Sequence, residues 1–133
     1  LILHKLKYLK ADIKKIRKIA KAYSKKLMNY VNVPEFNYNS NVIHTYHRYV
    51  IILKSKKERN DLKEYLSLNG IETKVHYSVP LHKYMCFSKY SYQKRLTKSE
   101  TQSDTMLSLP CNPFINELEV NFIIKKIKDF IKR

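Results

Sequence analysis

Glycine is almost absent from this chain: Gly70 is the only one in 133 residues. That excludes the Gly-rich phosphate loops of mononucleotide and dinucleotide folds, whose backbones must approach an anion closely at several positions. Tryptophan is missing, and the two cysteines, Cys86 and Cys111, lie far apart with no C-x-x-C spacing. Such usage suits a reducing, cytoplasmic setting rather than a disulfide framework. No apolar run reaches the roughly eighteen residues that a membrane-spanning helix needs. The opening LILHKLKYLK has lysines between its apolar positions and does not read as a signal peptide. It carries no initiator methionine, so the expectation is a chain that begins inside a longer reading frame or after a removed tag.

Acidic residues are also scarce. Asp and Glu number 11 against 27 Lys and Arg, a formal net charge of +16. One reading is attraction to phosphates, whether of nucleic acid, anionic lipid or a nucleotide-linked substrate. The other is compositional drift toward Lys, Ile, Asn and Tyr. Lysines occur in nearly every segment and arginines are few, whereas base recognition favours bidentate arginine contacts. Composition alone favours drift.

The positions Ile2, Leu6, Leu9, Ile13, Ile16, Ala20, Tyr23, Leu27 and Tyr30 recur at steps of 4 and 3, the seam of one long helix of about 45 Å. Lysines fill its other faces, so the stripe needs a helix or sheet to lie on, or a second copy in a coiled coil. Pro34 and the polar run Asn37 to Asn41 are expected to end it. Val42 to Leu53, rich in β-branched and aromatic residues, reads as a strand. Ser55 with Glu58 makes a capping-box start for a helix faced by Leu62, Tyr65 and Leu66, and Gly70 stands where its left-handed C-terminal residue belongs. A short strand is expected over Ile71 to Tyr77, and a loop with a short helix over Leu81 to Tyr92. Lys94 to Met106 is polar and poorly periodic, and Leu107 to Pro110 reads as extended. Asn116 and Glu119 signal a last helix whose buried face is Val120, Ile123, Ile124, Ile127, Phe130 and Ile131. The fold class is therefore α+β, a small antiparallel sheet covered by helices, with a long N-terminal helix over 1–32 and a small domain over 33–133.

His44-x-x-His47, His76 and His82 lack the cysteine or carboxylate partners of a zinc site, and His44 and His47 would face opposite sides of a strand. Ser78 and Ser108 have no nucleophile-elbow context, and Cys111 beside Asn112 and Pro113 reads as a packed thiol. Eleven tyrosines suggest nucleobase stacking, but most fall on apolar stripes and no RNA-binding signature accompanies them.

Five stretches taken in order carry a resemblance: IRKIAKAYSKKL, HTYHRYVI, RNDLKEYLSLNGIETKVHYSVPLH, an isolated Glu100, and LSLPCNPFINELEVNFIIKKIKDFI. The combination GI-x-T-x-x-HY-x-x-PLH followed by LSLP-x-x-P is its most specific part. The chain resembles the C-terminal part of the DegT/DnrJ family of pyridoxal-phosphate-dependent sugar aminotransferases. Two departures stand out: Leu96-Thr97 replaces a Leu-Pro pair, and Lys83-Tyr84-Met85-Cys86 follows His82 in place of an aromatic, glutamine-rich pattern.

The resemblance implies a small domain with the helix leading into it, from a type-I-fold aminotransferase. It implies that the cofactor lysine, the aspartate at the pyridinium nitrogen and the phosphate cup belong to a large domain that this sequence does not contain. The chain alone is then expected to hold no pyridoxal phosphate and to be inactive. In the complete enzyme, a homodimer in relatives, His76, Tyr77 and His82 would contact a sugar-nucleotide substrate, their imidazole and phenol groups suiting its hydroxyls and diphosphate. The alternatives are a basic nucleic-acid-binding or regulatory module, driven by the charge, and an interaction domain built on the first helix.

Overall fold

The computed structural model describes residues 2–34, 43–87, 89–90 and 95–133. Helix α1 runs Ile2–Leu27, strand β1 Tyr49–Ile52, and helix α2 Lys56–Leu68. Two single 3-10 turns follow, Leu81–Lys83 and Met85–Phe87, then α3 Thr97–Thr105, β2 Met106–Leu109 and α4 Glu117–Ile131. The architecture is α+β with a long N-terminal helix, as the residue pattern predicts.

The strands pair antiparallel, Tyr49 opposite Leu109 and Ile52 opposite Met106. Single-residue bridges extend the ladder on both sides, Asn32 to Ile52 and Lys74 to Ser108. Around this ribbon close Ala20, Tyr23 and Leu27 of α1, Leu62 and Leu66 of α2, and Val120, Ile123, Ile124 and Ile127 of α4. Tyr23 is fully buried; its hydroxyl donates to the Pro110 carbonyl at 2.9 Å, and its ring lies 5.1 Å from that of Tyr49. Burial raises the Tyr23 phenol well above its usual range, with Cys111 and Tyr49 adding to the effect.

The helix signals act where the sequence places them. Asn116 and Glu119 form a reciprocal capping box, each side chain accepting from the other's backbone N–H. Ser55 Oγ accepts from Glu58 N at 3.1 Å, while the Glu58 carboxylate reaches one residue further back, to Lys54 N. Gly70 has φ +73°; its N–H donates to Ser67 O and the Ile71 N–H to Leu66 O, the paired bonds of a Schellman motif. A Cβ at Gly70 would meet nothing within 4 Å, so only the left-handed backbone opposes a side chain there. Gly70→Ala should therefore cost about 1–2 kcal/mol of unfolding free energy in urea melts, with Gly70→Asn costing less.

Several boundaries differ from the expectation. Of the twelve-residue strand expected over Val42 to Leu53, only Tyr49–Ile52 is strand, and Val42 itself lies outside the described residues. Tyr46 sits at φ +48° with its N–H donating to His44 Nδ1, so the chain turns there, and His44 and His47 share no strand. The aromatic residues that suggested a strand are buried by ring packing instead: Tyr46 lies 6.0 Å from Tyr49. Ile71 to Tyr77 contributes a single bridge at Lys74 rather than a strand. The poorly periodic stretch after Lys94 contains α3, supported by Ser103 and Thr105 hydroxyls donating to Glu100 O and Thr101 O one turn back. Helix α1 ends at Leu27, before Pro34, and Tyr30 lies beyond it; Asn37 to Asn41 fall outside the described residues. Ile19, absent from the expected seam, is buried; the seam's N-terminal end at Ile2, Leu6 and Leu9 is under-packed, as expected of a stripe that rests only partly on this chain's own sheet.

Candidate functional site

The segment after α2 is placed by the ladder. Lys74 exchanges both backbone hydrogen bonds with Ser108 of β2, and two residues later the His76 Nδ1 meets Ser108 Oγ at 3.0 Å. That bond uses Nδ1 and leaves Nε2 as the ring nitrogen for a ligand. The His76–Tyr77 peptide is cis, and the Tyr77 ring stands edge-on to His76 with Arg48 Cζ 5.8 Å from its centroid. Pro80, extended at φ −65°, starts the 3-10 turn that carries His82 back toward α3. There His82 Nε2 lies 3.2 Å from Glu100 Oε1, and Lys83 Nζ 3.0 Å from Glu100 Oε2.

His76, Tyr77, Pro80 and His82 help wall one cleft of about 730 Å³. His76, Tyr77, Leu81 and His82 form one side, and Ser99 and Gln102 of α3 stand on the other. All three expected substrate contacts thus come together, which their spacing of up to six residues did not guarantee. Tyr77 is 68% exposed, so its phenol is open to a ligand rather than packed in the core.

Electrostatics separate the two histidines. The Glu100 carboxyl is held below the usual carboxylate range by its hydrogen bond from Lys83 first and that with His82 second. Ionised, it can only accept, so His82 donates from Nε2 and in its neutral form keeps Nδ1 as an acceptor. His76 is lowered below 6.5, first by burial and then by the positive charges of Arg48, Lys74 and His47. It is therefore a neutral imidazole at pH 7, and whatever stability it contributes is complete above its unfolded-state value and lost as pH falls through the depressed one. A carbon-detected histidine titration should place His76 below 6.5, with Arg48→Ala or Lys74→Ala moving it upward. A midpoint above 6.5 would contradict this geometry.

Glu100 was legible only as an isolated acid; its partners, eighteen and seventeen positions earlier, needed the fold. Burial pushes the Cys111 thiol up to about 11, in keeping with a packed thiol. Among the described residues no cluster of three or more His, Cys, Asp or Glu side chains could hold a metal, and no helix is long and apolar enough to cross a membrane.

A helix-covered ribbon with an imidazole-lined cleft at its edge is an α+β domain, and solved structures that share its fold are aminotransferases. The sequence matches the DegT/DnrJ/EryC1/StrS aminotransferase family over residues 1–128, and the chain belongs to that family. It is 28% identical over 127 residues to a dTDP-3-amino-3,6-dideoxy-alpha-D-galactopyranose transaminase of Aneurinibacillus thermoaerophilus, covering 95% of this chain and 33% of that protein. It is 31% identical over 90 residues to a pleiotropic regulatory protein of Geobacillus stearothermophilus, covering 67% of this chain and 23% of that one. A DegT DnrJ EryC1 StrS aminotransferase structure from Brucella abortus superposes with TM-score 0.89 at 30% identity, over 98% of this chain and 34% of that one. The chain spans about a third of the length of these two transaminase relatives.

Pyridoxal phosphate, which the family implies, needs a lysine in a water-excluded cup and a carboxylate for its ring nitrogen. No described lysine is buried, and none of the described residues lining the cleft is a lysine, arginine or carboxylate. The described residues do not fit the cofactor.

Proposed function

We propose that the chain is the C-terminal domain of a pyridoxal-phosphate-dependent aminotransferase acting on keto-sugar nucleotides in cell-surface polysaccharide synthesis, in the cytoplasm. The observation that carries this reading is the convergence of His76, Tyr77 and His82 on one cleft, with Glu100 orienting His82. In this role the chain binds and orients the sugar nucleotide. A large domain supplies the cofactor and its lysine, and the complete enzyme is a homodimer. Helix α1, with the residues that follow it up to position 32, bridges the two domains, and the bare apolar end at Ile2, Leu6 and Leu9 lies against the large one.

The test is reconstitution by fusion or co-expression with the large domain of a family member. Amine transfer from glutamate to a keto-sugar nucleotide should need both parts, and the chain alone should give neither transfer nor a specific cofactor spectrum. No transfer from a folded, cofactor-loaded assembly would sink the proposal. Sequence-selective duplex binding by the chain alone near physiological salt would favour the nucleic-acid reading, because drift-type charge binds weakly and loses affinity steeply as salt rises.

A further inference from the structure

His76 also lines a second and more polar pocket of about 560 Å³. Its walls include Arg59 and Lys63 of α2, then Thr73, Lys74 and Ser78. Arg59 is only 3% exposed and Thr73 only 7%. Among the described residues, Arg59 Nε and Nη1 and Thr73 Oγ1 have no hydrogen-bond partner. A buried guanidinium without an anion is strongly unfavourable, and native interiors leave such donors unsatisfied rarely. The one carboxylate on the wall, Glu72, is exposed and turned to Lys74 at 3.2 Å, and makes no ion pair with Arg59 among the described residues.

We propose that this pocket is an oxyanion site for a phosphate group, held by the Arg59 guanidinium and the Thr73 hydroxyl, with Lys63 and Lys74 at its rim. The donor set favours phosphate over carboxylate. A guanidinium fork, two hydroxyls and two ammonium groups offer more donors and charge than one carboxylate's two oxygens can use. Lys74 is shared with Glu72, so Arg59 is the anchor and the lysines strengthen it. The Arg59 position also explains a sequence oddity: it falls at i, i+3, i+7 with Leu62 and Leu66, a charge on the apolar face of α2. The site is independent of the transaminase reading, since it lies wholly within this chain.

The probe is inorganic phosphate added to the 133-residue chain at constant ionic strength, followed by amide and arginine Nε–H resonances. Saturable shifts are expected at Arg59, Thr73 and Lys74. Arg59→Met should weaken binding by about ten- to a hundredfold, as loss of a charged hydrogen-bond donor does. Should Arg59→Met fail to fold, Thr73→Val and the exposed Lys63→Ala must each still weaken binding severalfold. A nucleoside diphosphate separates the sources of the group. Additional shifts at His76 and Leu81 mark a phosphate ester reaching over the shared wall, and shifts confined to the pocket mark free phosphate; both uphold the site. Equal saturation by acetate would overturn it in favour of a carboxylate. Linear, non-saturating shifts spread over the surface lysines would overturn it altogether, as would unchanged affinity in the folded variants.

Discussion

Truncating Leu66 to alanine should lower the unfolding free energy by about 2–5 kcal/mol, the largest stability loss expected of a single core substitution here. Leu66 is fully buried. It also occupies the C3 position of the Schellman motif, where its carbonyl accepts from Ile71 and its side chain accompanies the buried Ile71 at the helix exit. The cost therefore combines lost transfer energy, a cavity between α2 and α4, and a loosened stop to the helix. Leu68, two residues on and 82% exposed, is the matched control, for which alanine should stay within about 0.5 kcal/mol. Urea unfolding of the three proteins decides the matter. Similar midpoints for Leu66→Ala and Leu68→Ala would mean that α2 does not close the core.

His82→Ala should have the largest effect on function. In the reconstituted enzyme, the loss of a hydrogen bond to a charged sugar nucleotide should cost about 1.5–3 kcal/mol, or ten- to a hundredfold in apparent affinity, with the cofactor's spectrum unchanged. His76→Ala should act in the same direction. On the proposed reading Glu100, bonded to His82, serves as a positioning residue. Glu100→Gln should weaken binding less than His82→Ala and shift the pH at which affinity is lost. The hydrogen bonds from Lys83 and with His82 hold the Glu100 carboxyl below its ordinary value, so the charge-assisted His82 contact weakens only as pH falls through that lowered value. Unaltered kinetics in a stably folded His76→Ala/His82→Ala double variant would reduce both residues to scaffold.

What the sequence made legible were features whose cause is local. Gly70, the Asn116–Glu119 box and the apolar face of α4 each depend on residues within one or two turns, and each lies where the pattern puts it. The strands were overextended because β-branched and aromatic residues report burial on a pleated surface, not pairing. Tyr46 satisfies that preference by turning its ring onto Tyr49 with its backbone left-handed. Helix α3 was missed because Thr, Ser and Gln give no apolar period, and its hydroxyls support it by bonding back to the preceding turn. At the site, His76, Tyr77 and His82 were found through resemblance, while Glu100's pairing with His82 and Lys83 depends on how α3 docks. Arg59 was within reach: an arginine in register with Leu62 and Leu66 marks a buried charge before any coordinates exist.

The uneven burial of α1 sets a gradient of local opening along one continuous helix. Among the described residues its first turns hold only intrahelical bonds, with Leu3 at 80% and Leu6 at 54% exposure, whereas Ala20, Tyr23 and Leu27 are sealed. Fraying from the N-terminus thus costs little buried area, while amides near Tyr23 can open only when the ribbon and α4 come apart. Deuterium uptake will therefore run along α1 as a wave, fast near Lys5 and slowing to the global unfolding rate past Ile19.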